Sequence, residues 1–151
     1  MLLLRHASAG ERIASPSLDR ARRLDRSGRE DARRLPHALA AYVVDRIVTS
    51  PHARCVQTVR PLAEARNLEI ECCDELAPDV SRSEVLAFLA EISGCALACT
   101  HREVIERLFE GEVTCEKGGI WLLERRRRRW LPTAYLPPPG AKLVRGHPTL
   151  V

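Results

Sequence analysis

Aromatic residues are scarce in this chain: two Trp, two Tyr and two Phe, or 4% of its residues. That leaves little with which to stack on a nucleobase. Lysine is almost absent as well, so arginine carries nearly all of the positive charge behind the net +4. Such a balance suits anionic ligands in general without choosing among them. No apolar run approaches the ~20 residues that crossing a bilayer requires. No basic stretch precedes the N-terminal apolar run, which is too short for a signal peptide, so a cytoplasmic protein away from membranes is expected. The cysteines at 55, 72, 73, 95, 99 and 115 form no C-x-x-C pair and no paired ligand spacing. Reduced thiols, mostly buried as small apolar groups, are expected, and a metal site is not.

What is present is an alternation of short apolar runs with amphipathic stretches. Leu2-Leu3-Leu4 is a buried strand by length and composition, central in a parallel sheet, and it stops at Arg5-His6. Residues 7–27 are polar and read as a loop with at most a short helical turn. Ser27 with Glu30 has the spacing of a capping box, and a helix is expected over about 28–42, kinked or broken at Pro36. Arg46 to Ser50 is a second strand ended by Pro51. A helix then runs to about Arg66, with Cys55, Val59, Leu62 and Ala63 facing inward. Residues 68–72 form an edge strand and 74–79 a loop. Ser81 with Glu84 caps a helix that Gly94 ends. A fourth strand, 95–99, stops at Thr100-His101, and a helix follows from about Arg102 to Glu110. Residues 120–124 and 130–135 suit a hairpin turned by Arg125–Arg129. The order implies an α/β fold, a three-layer α/β/α sandwich with a mostly parallel central sheet. It forms one domain over 1–136, followed by a Pro-rich tail over 137–151.

Three strand ends are polar: Arg5 and His6 on the first, Ser50 with Arg54 a turn beyond on the second, Thr100 and His101 on the fourth. In a parallel sheet all three lie on one edge, where such folds place ligands. Two guanidiniums and two imidazoles meeting there make a phosphate cradle with a nucleophile inside it. His37 and His52 are read as surface or packing histidines, His52 being close enough to the site to watch.

At these positions the chain resembles a known family. Leu4-Arg5-His6-Ala7 is similar to the R-H-G/A signature of the histidine phosphatase (phosphoglycerate-mutase-like) superfamily. Thr49 to Thr58 resembles its S-S-P-x-x-R-A-x-Q-T segment, and Cys99 to Ile105 its V-S-H-x-x-x-I segment. Arg22-Arg23-Leu24-Asp25-Arg26-Ser27-Gly28 resembles the R-P-L-T-x-x-G stretch of the small SixA-like branch, with Arg23 in place of proline. The likeness extends over about residues 1–135, and the short span between Arg54 and His101 leaves no room for a large lid. It implies a phosphatase in which His6 attacks phosphorus, forms phosphohistidine and is then hydrolysed. Arg5, Arg54 and His101 neutralise the phosphoryl oxygens, and no metal or other cofactor is needed. It assigns Ser50 and Arg22 to substrate binding, a surface role for Arg22 being the equal alternative. Glu75 is the candidate proton donor to the leaving group, with Asp74 and Asp79 behind it, and Gln57 and Thr58 hold Arg54 in place. The expected substrate is a phosphohistidine protein or a small phosphate ester. Lys117 to Trp121 resembles phosphatase-like domains fused to Nudix hydrolases, which keeps two alternatives open: a nucleotide substrate, or a non-catalytic phosphate-binding module. Nucleic acid is not the expected partner, the arginine run reading as a solvated hairpin tip.

Overall fold

The computed structural model describes residues 1–141; residues 142–151, most of the 137–151 tail, lie outside the described residues. Six strands form one sheet: β1 (Leu2–Arg5), β2 (Arg46–Thr49), β3 (Ile70–Cys72), β4 (Ala96–Thr100), β5 (Ile120–Arg126) and β6 (Arg129–Leu136). Their order is β3-β2-β4-β1-β5-β6. The first four are parallel, which puts β3 at the edge as expected. β5 runs antiparallel to β1, and β6 antiparallel to β5. Thus β1 is interior but sits at the seam between parallel and antiparallel halves, not in the middle of a parallel set.

Both faces of the strands are apolar because helices cover both. Five α-helices are present among the described residues: α1 (Pro16–Arg20), α2 (Arg26–Ala38), α3 (Ala53–Arg66), α4 (Arg82–Glu91) and α5 (Arg102–Leu108). Leu2, Leu4, Ile47, Leu97 and Cys99 pack toward α2 and α3, together with Leu35, Leu39, Cys55, Val59 and Leu62. The alternate residues Leu3, Val48, Ala96 and Ala98 pack toward α4 and α5, against Val85, Leu89, Val104 and Ile105. The three-layer sandwich follows from this alternation: successive strand residues point to opposite faces, and each face has its own helices.

Local expectations held unevenly. Ser81 and Glu84 form the capping box in full, but α2 starts two residues earlier than expected. Asp25, not Ser27, is its N-cap, accepting from the Gly28 amide at 2.8 Å. The same carboxylate accepts the Ser8 hydroxyl at 2.6 Å and the Gly10 amide at 3.1 Å. One side chain therefore both caps the helix and pins the loop after β1, which a serine cannot do. Pro36 lies in the last turn of α2, which ends two residues on rather than at Tyr42. α4 stops at Glu91, three residues before Gly94, whose positive φ serves the turn into β4. Of the cysteines only 55, 99 and 115 are buried; 72 and 95 are exposed and 73 is half-buried, because the latter three lie on the edge strand, at its end or in a surface turn.

Candidate active site

The carboxyl ends of β1, β2 and β4 lie side by side, and they bring His6, Ser50 and His101 together in the interior. The His6 amide donates to the Thr100 carbonyl at 3.0 Å and the Ser50 amide to the Cys99 carbonyl at 2.9 Å. These bonds extend the parallel ladder one residue past each strand, so the side chains leave the sheet at a common level. His6 and His101 meet edge to face with ring centroids 5.3 Å apart. Arg54, on the first turn of α3, inserts between them and is only 4% exposed.

The hydrogen bonds set the protonation of both rings. His6 Nδ1 lies 2.8 Å from the Ala7 carbonyl oxygen, so this nitrogen bears the proton and donates. Nε2 is left with its lone pair and receives the Arg54 Nε–H at 3.3 Å. Burial, reinforced by the charges of Arg54, Arg5 and Arg22, pulls the His6 pKa down to about 3, keeping the ring neutral. A neutral imidazole with an unprotonated Nε2 is a nucleophile. His101 Nδ1 accepts from Arg54 Nη2 at 3.3 Å, so its proton sits on Nε2, 2.8 Å from Ser50 Oγ. Burial and the neighbouring charge also hold the His101 pKa far below the ordinary histidine range.

Arg5 projects from β1 toward the segment before β5, and its Nη1 donates to the Cys115 carbonyl at 2.6 Å. Its Nε is buried with no partner. A buried N–H without an acceptor is costly, and an anion at the site would satisfy it. Arg22 donates through Nε to Asp19 Oδ1 at 2.9 Å and through Nη1 to the Ala9 carbonyl at 2.8 Å, so the structure brings it to the edge of the cluster. Ser50 is buried against both His101 and His52. Among the described residues no three His, Cys, Asp or Glu side chains lie close enough to hold a metal ion, and positive charge at the site comes from Arg5, Arg22 and Arg54.

Glu75 is placed elsewhere. It is exposed on a 3-10 turn, Asp74–Leu76, and lines a cavity of about 940 Å³ with Asp74, Asp79 and residues of α4. No hydrogen bond or ion pair joins it to His6, Arg54 or His101: the turn buries Leu76, whose carbonyl accepts the Thr100 hydroxyl at 2.7 Å, and leaves Glu75 exposed. Gln57 and Thr58 brace the loop rather than the arginine. Gln57 Oε1 accepts from the Leu24 amide at 2.8 Å, and Thr58 Oγ1 from the Ala7 amide at 3.0 Å. Thr58 touches Arg54 only through the helix backbone, donating to its carbonyl.

One residue escaped the sequence reading, and a second was marked there only as a histidine to watch. Asp19, in the short α1, is 8% exposed; its carboxylate takes Arg22 at 2.9 Å and Arg54 at 3.3 Å, and its backbone carbonyl accepts Arg54 Nη1 at 2.8 Å. It lies in a polar loop whose path no local pattern encodes. His52 is 9% exposed and stacks edge to face on His101 at 4.8 Å. Its only signal was nearness to Arg54 in the chain.

The family model for the histidine phosphatase superfamily (branch 1) matches residues 1–78, just over half of the chain. The chain belongs to the histidine phosphatase superfamily. An 8-oxo-(d)GTP phosphatase of Mycolicibacterium smegmatis is 30% identical over 94% of this chain; the chain spans about half of that protein, 49% of its length. The solved structure of the protein histidine phosphatase SixA with tungstate superposes with a TM-score of 0.77 at 22% identity, over 91% of this chain and 96% of that one. A protein from Agrobacterium tumefaciens assigned as a SixA phosphohistidine phosphatase gives a TM-score of 0.74 at 27% identity, over 91% and 97%. The fold is thus the phosphoglycerate-mutase-like sandwich of this superfamily, shared with SixA over nearly the whole length of both chains. No helix among the described residues is long and apolar enough to cross a membrane.

Proposed function

We propose that this chain is a phosphatase in which His6 is the nucleophile. The observation that carries this reading is the neutral His6 ring, its Nδ1–H tied to the Ala7 carbonyl and its Nε2 lone pair facing Arg54 in a nearly dry site. In that reading Nε2 attacks phosphorus, and Arg5, Arg54 and His101 stabilise the charge that gathers on the phosphoryl oxygens. Arg54 loosens its hold on the two rings to do so, and the orphaned Nε of Arg5 gains an acceptor. Water then cleaves the phosphohistidine. Ser50 holds His101, and Arg22 with Asp19 holds the outer side of Arg54. Retention of both histidines and both arginines, with His6, Arg54 and His101 in mutual contact, favours an enzyme over a non-catalytic phosphate binder. Glu75, exposed on its own turn, makes no hydrogen bond or ion pair to His6, Arg54 or His101.

The substrate is a phosphorylated small molecule or a phosphohistidine protein, met in the cytoplasm, where six unpaired cysteines stay reduced. A nucleotide substrate is the second reading, favoured by the likeness to an 8-oxo-(d)GTP phosphatase over nearly the whole of this chain. The test is trapping: brief exposure to labelled substrate followed by rapid denaturation yields an alkali-stable, acid-labile phosphoenzyme in the native protein and none in His6→Ala. Equal labelling of the two overturns the covalent mechanism, and a panel containing phosphohistidine protein, sugar phosphates and nucleotides decides the substrate.

A further inference from the structure

His52 is buried, ionisable, and unused by the mechanism above. It occupies the N-cap position of α3, yet its side chain makes no capping bond. Its Nδ1 lies 3.2 Å from Ser50 Oγ, and its backbone N–H donates weakly to the same oxygen at 3.3 Å. Ser50 Oγ in turn receives the His101 Nε2–H at 2.8 Å. His101 Nδ1 faces Arg54, hence the phosphoryl position. A continuous file therefore runs from the phosphoryl site through His101, Ser50 and His52. Nε2 of His52 makes no bond to the described residues and is not among the buried polar atoms lacking a partner. His52 lines a cavity of about 540 Å³ together with Asp19, Ala77, Pro78, Asp79 and Glu103. That cavity adjoins the cluster through Asp19, which touches Arg54.

We propose that this file carries a proton from the bound phosphoryl group to the leaving oxygen, with His52 as the last donor and the cavity beside it as the leaving-group pocket. The inference rests on the phosphatase reading of the same site. It supplies what that site lacks, a proton donor to the departing alkoxide, once Glu75 is placed elsewhere. The step balances as follows. The His6 Nε2–phosphorus bond forms as the bond from phosphorus to the leaving oxygen breaks. The leaving oxygen takes the His52 Nε2 proton, and His52 Nδ1 takes the Ser50 hydroxyl proton. Ser50 Oγ takes the His101 Nε2 proton, and His101 Nδ1 takes the proton of a monoanionic phosphoryl group. His101 then donates through Nδ1 to the phosphoryl oxygen it has deprotonated. No ring along the file becomes charged, which agrees with burial holding both His52 and His101 below the ordinary histidine pKa. Hydrolysis of the phosphohistidine runs the file backwards: His52 Nε2 takes a proton from the attacking water, the His52 Nδ1 proton passes to Ser50 Oγ, the Ser50 proton to His101 Nε2, and the His101 Nδ1 proton returns to the phosphate as the His6 Nε2–phosphorus bond breaks.

The test is dependence on the leaving group. Native protein and His52→Asn are compared by kcat/KM on 4-nitrophenyl phosphate, whose leaving group departs without a proton, and on glycerol phosphate, whose leaving group needs one. The variant is expected to lose roughly 10²-fold or more on the alkyl ester and only a small factor on the aryl ester, the size expected for general acid catalysis. Turnover of the aryl ester shows at once that the variant is folded. Equal losses on both esters, or a leaving-group-dependent loss in Asp79→Asn or Glu103→Gln instead, overturns the proposal. In the native protein the solvent deuterium effect on kcat/KM should be larger for the alkyl ester; identical effects also overturn it. A protein that forms no phosphoenzyme fails the phosphatase reading, whatever these comparisons give.

Discussion

Arginine is used in two opposite ways at the two ends of the sheet. At the carboxyl end of β1, Arg54 is 4% exposed and has each guanidinium nitrogen committed, to His6, to the Asp19 carbonyl, and to His101 with the Asp19 carboxylate. At the other end, the β5–β6 hairpin turns on Arg127 and Arg128, both exposed and both at positive φ, 48° and 67°. Arg125 rests beside Trp130 with its carbon 5.9 Å from the ring, and Arg126 pairs with Glu124 in solvent. A buried guanidinium must have its donors met, so its neighbours are dictated and its charge acts at short range in a poorly screened medium. An exposed one is screened, and its ion pairs contribute little. Charge makes a site only where burial and fixed partners come with it.

The comparison can be broken from either end. The largest effect is expected at the buried end. His6→Ala should lose at least roughly 10³-fold in kcat, since the nucleophile itself is removed, with the circular dichroism spectrum retained; near-native turnover would deny His6 its role. Arg54→Ala should lose about 10²–10³-fold in kcat, the usual result of removing a donor to developing charge. Five arginines removed from the hairpin tip should leave kcat alone, and a comparable loss there would erase the distinction between the two ends.

Stability should divide in the same way. A Cβ on Gly28 would collide with the Ser8 backbone, where the loop after β1 crosses the start of α2. Gly28→Ala should therefore destabilise by about 1–3 kcal/mol, the cost of forced overpacking, and lower activity by shifting the His6 loop. Denaturant melts and kinetics on one preparation check both. At the tip, left-handed backbone suits Asn and Gly in a two-residue hairpin turn. Arg127→Asn with Arg128→Gly should raise stability by about 1 kcal/mol without changing turnover.

The buried histidines also set an acid limit. His6 has a folded pKa of about 3 against an ordinary 6.5, so the unfolded chain takes up the proton first. Stability is therefore complete above the unfolded value and falls as pH drops from about 6.5 toward 3, by up to roughly 1.4 kcal/mol per pH unit for this one group. His52 and His101, also depressed, add in the same direction. In His6→Asn the slope of melting free energy against pH across that window should be shallower; an unchanged slope would place the acid sensitivity elsewhere.

The strand ends were legible because a strand buried on both faces has to be apolar, so Arg5-His6, Ser50 and Thr100-His101 stand out as interruptions. The parallel order of β1, β2 and β4 then brings those interruptions to one edge, which the alternation of strands and helices already implied. The capping box of α4 and the arginine-turned hairpin were equally visible, since each is encoded by neighbours in the chain. Asp19 was not, because a short helix in a polar loop has no periodicity and its value lies in meeting Arg54, 35 residues away. Glu75 and His52 exchanged importance for the same reason. A carboxylate in a plausible loop turned out to face solvent, and a histidine beside proline turned inward onto His101.

What the sequence determined unaided was the set of strands, the faces they bury and the chemical types gathered at their ends, because hydrophobic periodicity and strand termination are local. What the tertiary structure alone decided was orientation: the antiparallel β5 beside β1, the carboxylate of Asp19 between two guanidiniums, and the tautomers of His6 and His101. Those depend on hydrogen bonds between groups distant in the chain, and a hydrogen bond is set by angstroms and angles that no spacing of residues records.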